Sequence, residues 1–460
     1  MEAIGEIPKI LQAALRSGGD FAEIFLEERV SVSIGCEDNK VERVISGTDR
    51  GAGLRVVVGE MTAYASTNDL TSSGLRELAE RVSRGISAPV GKFVFPKGYA
   101  IQLEKKSIRY PTSVPAREKV SKVLEGNEVA RSFGDRIAQV QVRYGDSQQQ
   151  VVIANSDGLF VADERIHIIF LVHVVGEKDG VIQTGYESIG SSLGFEIFDE
   201  VSPSTVARLA AERALKMLGA APAPTGIMPV VLSSEAGGTM IHEAVGHGLE
   251  ADLVQKGLSV FAGKRGERIA SETVSVHDDA TIAGKRGSFA YDDEGSPSEC
   301  TVLVENGVLK TYMYDLNTAK KEGGKSTGNG RRESYRHRPI PRMTNTFIVS
   351  GHTGPEDILA ATDSGLFVRK MGGGQVNTIN GDFMFEVNEA YMIRGGEIRE
   401  PVRGASLIGN SAKVLAQIDM VGNDLGFAVG TCGKDGQGVP VSDAQPTTRI
   451  EGITVGGTNA

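Results

Sequence analysis

The segment Met228-Pro229-Val230-Val231-Leu232-Ser233-Ser234 leads within a few residues into Ile241-His242-Glu243-Ala244-Val245-Gly246-His247-Gly248-Leu249-Glu250-Ala251-Asp252. The apolar run reads as a strand, and Ser233 or Ser234 can cap a helix near 234–247. On that helix two histidines bracket a glutamate, the second one residue later than in the H-E-x-x-H pattern of zinc peptidases. That chemistry needs two neutral imidazoles on one divalent cation and a carboxylate beside them to take a proton from water there. On a regular α-helix, at about 100° per residue, His242 and His247 diverge by roughly 140°, against roughly 40° for an i, i+4 pair. Both can face one cation only if the helix absorbs an extra residue, as a π-bulge does. Gly246 removes side-chain crowding where the backbone would deform. A wide turn across Ala244–Gly248 is therefore expected.

The motif is short, and a chance match is the competing reading. The other five of the seven histidines (His167, His173, His277, His337, His352) stand apart from one another. His167 and His173 fall in an apolar run and read as strand residues. A zinc site needs a third protein ligand, and the sequence has three cysteines, Cys36, Cys300 and Cys432. Three so widely scattered form no disulfide framework, and their scarcity suits a reducing, cytoplasmic compartment. Cys36 ends a strand-like run, and Cys300 alternates with apolar residues, so burial is its default. Cys432 lies in the glycine-dense Gly430-Thr431-Cys432-Gly433-Lys434-Asp435-Gly436-Gln437-Gly438, which reads as a loop where Lys434 would favour thiolate. Cys432 is preferred, with Glu250 and Asp252, or His277-Asp278-Asp279, as rivals.

The segments His242–Asp252, Arg331-Arg332-Glu333-Ser334-Tyr335-Arg336-His337, Met371-Gly372-Gly373-Gly374-Gln375-Val376 and Gly430–Gln437 together resemble the TldD/PmbA family. The resemblance is to the TldD branch, which carries the metal motif that the PmbA (TldE) branch lacks. It implies a cytosolic zinc metallopeptidase with His242, His247 and Cys432 as ligands and Glu243 as general base. It also implies a dimer, including pairing with a motif-lacking paralogue, short or unstructured peptide substrates, and an older family label as a modulator of DNA gyrase.

A chain of 460 residues exceeds one ordinary core, and two domains are expected. Ser202, Pro203, the apolar stripe Val206, Leu209, Ala210, Ala214, Met217 and the closing Gly219 predict a helix; Ala221-Pro222-Ala223-Pro224-Thr225-Gly226 then reads as a linker. The expected organisation is α+β: an N-terminal mixed helix/sheet domain, 1–219, and a C-terminal β-rich domain, 220–460, carrying the metal-binding helix. Helices are predicted near 8–16, 72–86 and 115–132, with strands near 21–34, 40–46, 52–58, 137–143, 150–154 and 164–175. Asn306-Gly307 and Gly395-Gly396 predict hairpin turns. No apolar run is long enough for a membrane span, and the opening residues show no secretion signal. A net charge of -10 opposes nucleic-acid binding. Arg331-Arg332 reads as a solvated loop or a peptide contact.

The chemistry expected is peptide hydrolysis with Zn2+ on His242, His247 and Cys432, a fourth position open to water, and Glu243 moving the proton. Tyr335 and His337 are candidate oxyanion donors, against a structural role for both. Met371–Val376 offers bare backbone to an extended peptide, or makes a tight turn. The alternative class is a metal-containing peptide-binding or chaperone-like regulatory subunit, whose closed site would need Glu250 or Asp252 as a fourth ligand. A DNA-associated regulator fits the acidic balance worst.

Overall fold

The computed structural model describes residues 4–87, 89, 93 and 107–457. Its first half is one antiparallel sheet of six strands in the order β3-β2-β1-β4-β5-β6: β1 Phe21–Glu37, β2 Lys40–Val58, β3 Met61–Thr67, β4 Ile137–Asn155, β5 Phe160–Lys178 and β6 Val181–Ser191. The pairs of short strands expected at 40–46 and 52–58, and at 137–143 and 150–154, are each one continuous strand. The connecting residues look like turns because they are polar or glycine, yet β1 pairs with both strands through these gaps. Their polarity serves burial: Gln149, in the gap of β4, is buried and donates to Glu27 at 2.8 Å.

Four longer helices lie on this sheet at Ile7–Ala14, Ser72–Arg84, Ala116–Arg131 and Pro203–Leu218. Thr71 caps the second by accepting from Gly74 N at 3.1 Å, and Ser202 caps the last by accepting from Thr205 N at 3.1 Å. The helices at 7–14 and 72–84 share one core with β1–β3, and those at 116–131 and 203–218 share another with β4–β6. At Gly185 on β6 the last helix comes so close that a Cβ would lie 1.9 Å from Ala210 O.

Beside a small two-stranded sheet, Gly330-Arg331 with Ile340-Pro341, the second half is built from two large sheets. In one, Ser364–Val376, Gly226–Leu232, Thr448–Gly456, Ser406–Asn410 and Asp382–Arg394 pair in turn, and the last pairs again with the first, closing a ring. The other runs in the order Val308–Leu309, Cys300–Glu305, Val276–Asp279, Asn345–Ile348, Gln437–Gln445, Gly426–Lys434. Both expected hairpin turns have two residues at positive φ, Asn306 (48°) with Gly307 (78°) and Gly395 (58°) with Gly396 (73°). One large core fills the space within and between these sheets.

Several expectations need correction. Ala221-Pro222 is a short strand paired with Val402-Arg403, held because Arg403 O accepts from Ala223 N at 2.9 Å. Arg331 and Arg332 are buried, not solvated. Arg332 reaches Glu23, and Arg55 of β2 reaches both Glu23 and Glu294, so buried ion pairs join the halves. No helix among the described residues is long and apolar enough to cross a membrane.

Replacing Gly185 by Ala forces Cβ into the helix backbone and should cost about 1–3 kcal/mol, read from the urea midpoint at unchanged slope. Gly47→Ala, where a Cβ meets nothing within 4 Å, should change stability by under about 0.5 kcal/mol. Equal midpoints for the two variants would contradict the packing argument.

Candidate metal centre

After the strand Gly226–Leu232, Ser233 Oγ accepts from Glu235 N at 3.0 Å and starts a 3-10 turn over Ser234–Ala236. The single helix expected near 234–247 does not form. Gly237 takes a φ of 74° and breaks it, and helical structure resumes at Thr239–Ile241. His242–Gly246 is then a π-helical turn, closed by His247 N–H donating to His242 O. The inserted residue required by the spacing is absorbed there, and a 3-10 turn, His247–Leu249, follows. Gly246 itself has ordinary helical angles, φ -54° and ψ -56°. Its lack of a side chain matters for another reason: a Cβ would lie 1.9 Å from Sδ of the buried Met343.

The imidazoles of His242 and His247 lie with ring centroids 5.2 Å apart and planes at 87°. Cys432 approaches from the other sheet. Its Sγ is 3.5 Å from His247 Nε2, and one ligand atom from each of His242, His247 and Cys432 falls within 4.8 Å of the others. Cys432 belongs to the strand Gly426–Lys434 and not to a loop. The glycine-rich text there is a hairpin whose turn holds Asp435 and Gly436 at positive φ.

Burial alone would raise the Cys432 thiol, but hydrogen bonds and positive charge from His242 and His247 bring it down to about 5. Lys434, expected to favour the thiolate, instead pairs with Asp252 at 2.6 Å and Glu250 at 3.1 Å. The reciprocal effect raises both imidazoles against their burial, and for His247 the charge of Glu250 adds to it. Glu250 is fully buried and accepts from His247 Nδ1 at 3.0 Å. Desolvation would raise its carboxyl, yet Lys434, His247 and Arg342 hold it near 2, its value being about 2. His242 Nδ1 is buried without a hydrogen-bond partner and faces Asp443 Oδ2 at 4.0 Å. Glu243 opens with His242 onto a cleft of about 480 Å³, and burial raises its carboxyl above the usual range.

The other candidates lie elsewhere. Tyr335 packs with Phe25, Val151 and Ile153, and its hydroxyl donates to Asp49 at 3.2 Å. His337 Nδ1 lies 3.1 Å from Ser334 Oγ. Neither lines the cleft that holds Glu243. Asp278 is consumed in bonds to Thr344, Thr346 and Asn329. Cys36 is buried, but Cys300 is exposed beside His277, contrary to its alternating pattern; it sits on the first residue of its strand, where nothing covers it. Asp443 and Arg342 went unseen in the sequence, since neither stands in a motif. Glu250, three residues past His247, was visible only as a possible ligand.

Two imidazoles and a low-pKa thiolate form a donor set suited to a divalent cation of the zinc type, and these residues fit one. The Glu250 carboxylate on His247 Nδ1 is the kind of outer partner such a site requires, while His242 Nδ1 has Asp443 as its nearest carboxylate at 4.0 Å. Glu250→Gln should therefore weaken metal binding by about 10–100-fold, measured by competition with a chromogenic chelator. Asp252→Asn, which touches only lysines, should have the smaller effect. The reverse order would remove Glu250 from its positioning role.

Family comparisons match this chain along most of its length. The PmbA/TldA metallopeptidase domain 1 matches residues 22–85, the central domain 109–218 and the C-terminal domain 225–457. The metalloprotease TldD homolog of Haemophilus influenzae is 37% identical over 450 residues, covering 96% of this chain and 93% of that protein. A metalloprotease of Methanothermobacter thermautotrophicus is 36% identical over 442 residues, covering 95% and 96%. Among solved structures, a Thermotoga maritima protein described as a candidate modulator of a DNA gyrase superposes with a TM-score of 0.81 at 24% identity, covering 98% of this chain and 100% of that one. TldE from Thermococcus kodakarensis gives 0.77 at 20% identity, covering 98% and 99%. The two likenesses in structure show the fold, and the sequence matches carry the assignment: the chain belongs to the PmbA/TldD metallopeptidase family.

Proposed function

We propose that this chain is a zinc-dependent peptidase that hydrolyses short or unfolded peptides, with His242, His247 and Cys432 holding the cation and Glu243 as general base. The observation that carries this reading is the convergence of the three donor atoms beside a cleft that Glu243 also lines. When bound, the cation supplies a Lewis acid and makes water at the site easier to deprotonate. Glu243 accepts that proton on its carboxylate as water attacks the peptide carbonyl, and returns it to the departing amine. Its raised pKa brings it closer to neutral pH, where a base that must also release a proton works best.

The cleft favours an extended chain. Between Met371 and Gly374 the pairing of Ser364–Val376 with Asp382–Arg394 slips, so this segment is an irregular strand and not a tight turn. Gly372 and Gly373 line the cleft there; across it, Ala428–Thr431 belong to the edge strand of the other sheet. Backbone groups on both sides suit a peptide added as a strand, which reads the main chain more than the side chains.

A closed structural site, as a non-catalytic binding subunit would have, is less well supported. Among the described residues the cluster holds three ligands, and the two carboxylates offered as a fourth face His247 Nδ1 and Lys434. For assembly we propose a dimer, with a second copy or a motif-lacking paralogue. The outer stretch of β2, with Val44 and Ile45 about half exposed, is an unpaired edge that could take part.

Glu243→Gln should keep the full metal content and lose hydrolysis of an unstructured peptide by at least about 100-fold, metal and turnover being measured on one sample. Retained turnover with metal bound would sink the general-base role. Cys432→Ser should lower zinc content sharply, while Cys36→Ser and Cys300→Ser leave it unchanged. Zinc bound equally by all three would place the third ligand elsewhere.

A further inference from the structure

A second cavity, of about 300 Å³, lies where β1, β4 and β5 meet the C-terminal half. Five arginines line it, Arg29, Arg165, Arg286, Arg331 and Arg332, together with His167. Three of the guanidinium groups have carboxylate partners: Arg29 pairs with Glu27, Arg165 with Asp163 and Asp293, and Arg332 with Glu23. Arg286 and Arg331 have none among the described residues. Arg331 donates to the carbonyls of Met343 at 2.6 Å and Pro440 at 2.7 Å, and Arg286 to Gly430 O and Thr431 Oγ1. Both are over nine-tenths buried, and that burial pulls each guanidinium down to about 10, for Arg331 against the opposing charge of Asp293.

Buried charge without a partner costs several kcal/mol, so the fold is keeping two positive charges here at its own expense. The donors are also incompletely used. Arg286 Nε, Arg332 Nε and Nη1, and His167 Nδ1 are buried with no hydrogen-bond partner. Burial first, and then the charge of Arg286, Arg331, Arg29 and Arg165, hold His167 neutral. Two carboxylates also line the cavity, but Asp293 is taken by Arg165 and Glu333 accepts from Gly438 N, so the unused guanidinium and imidazole nitrogens suit a ligand that brings negative oxygens. The volume is that of a small-molecule site.

We propose that this cavity is an oxyanion-binding site, taking a phosphate or carboxylate group between Arg286, Arg331, Arg332 and His167. Thr431 lines both this cavity and the cleft beside the metal ligands. An anion here therefore lies against Thr431, the neighbour of Cys432 in the chain. The source is either a free small oxyanion or the terminal carboxylate of a peptide. The site does not depend on the peptidase reading, and its test is a binding measurement on the metal-loaded chain.

Thermal unfolding at matched ionic strength is followed with chloride, inorganic phosphate, an acetylated tripeptide acid, or the same tripeptide as its amide. Phosphate or the tripeptide acid should raise Tm by about 2 °C or more over chloride and amide. A response to phosphate alone identifies a free oxyanion; a response to the acid but not the amide identifies a chain terminus. Arg286→Gln and Arg331→Gln should each weaken binding of the active probe by about tenfold. An equal shift in the parent and both variants puts the anion elsewhere, on the metal included, and overturns the proposal. So does a parent that responds to neither phosphate nor the tripeptide acid, an outcome that needs no variant to fold.

Discussion

The fully buried carboxylate of Glu250 is the contact on which the candidate metal centre depends. It accepts from His247 Nδ1, pairs with Lys434 and faces Arg342, itself fully buried, at 4.0 Å. Arg342 in turn donates to the carbonyls of Cys432 and Gln437. One carboxylate thus joins the π-turn that carries two imidazoles to the hairpin that carries the thiolate. The His247 bond is local, but Lys434 and Arg342 tie the segment after the π-turn to the hairpin Gly426–Gln445. Taken singly, each of these buried charges would be a heavy cost; as a set they offset one another, although Glu250 Oε1 and Arg342 Nε, 4.0 Å apart, make no hydrogen bond.

The same economy governs the meeting of the two halves. Apolar cores lie within each half, while the surface between them is rich in arginine and carboxylate: Arg55 with Glu23 and Glu294, Arg332 with Glu23, and Arg213 with Glu389 and Glu187. Such pairs are directional, unlike apolar contacts. They set the relative position of the halves more narrowly than packing of similar area would, because a small slip leaves a buried charge unmatched. The cleft beside Glu243 is lined from both halves, by His173 and Tyr186 as well as Gly372 and Val429, so its width is set by that positioning.

Local rules were legible in the sequence where the chemistry is local. Ser202 and the Asn306-Gly307 pair each act within four residues, and the elements that they bound appear where expected. The π-turn followed from the spacing of His242 and His247, since the geometry of a helix leaves little choice. What escaped were positions whose meaning depends on distant partners. Gly433 and Gly436 made Cys432 look like a loop residue, though pairing with Gln437–Gln445 makes a strand of it. Arg331 and Arg332 looked solvated because charge is a surface property by default, and distant acceptors, the carbonyls of Met343, Pro440 and Asp293 and the carboxylate of Glu23, receive them in the interior. Tyr335 fills the space left by the bare Gly51 of β2, a match that no reading of either segment alone could reveal.

His247 and Cys432 stand 185 residues apart in the chain. During synthesis, at about 5–20 residues per second, roughly 10 to 40 s separate the appearance of the paired histidines from that of the thiolate. Through that interval the growing polypeptide carries a two-donor fragment whose third arm has not been made. The candidate metal centre is thus completed on the ribosome well after its first two donors, and a chain cut short before the hairpin Gly426–Gln445 emerges without it.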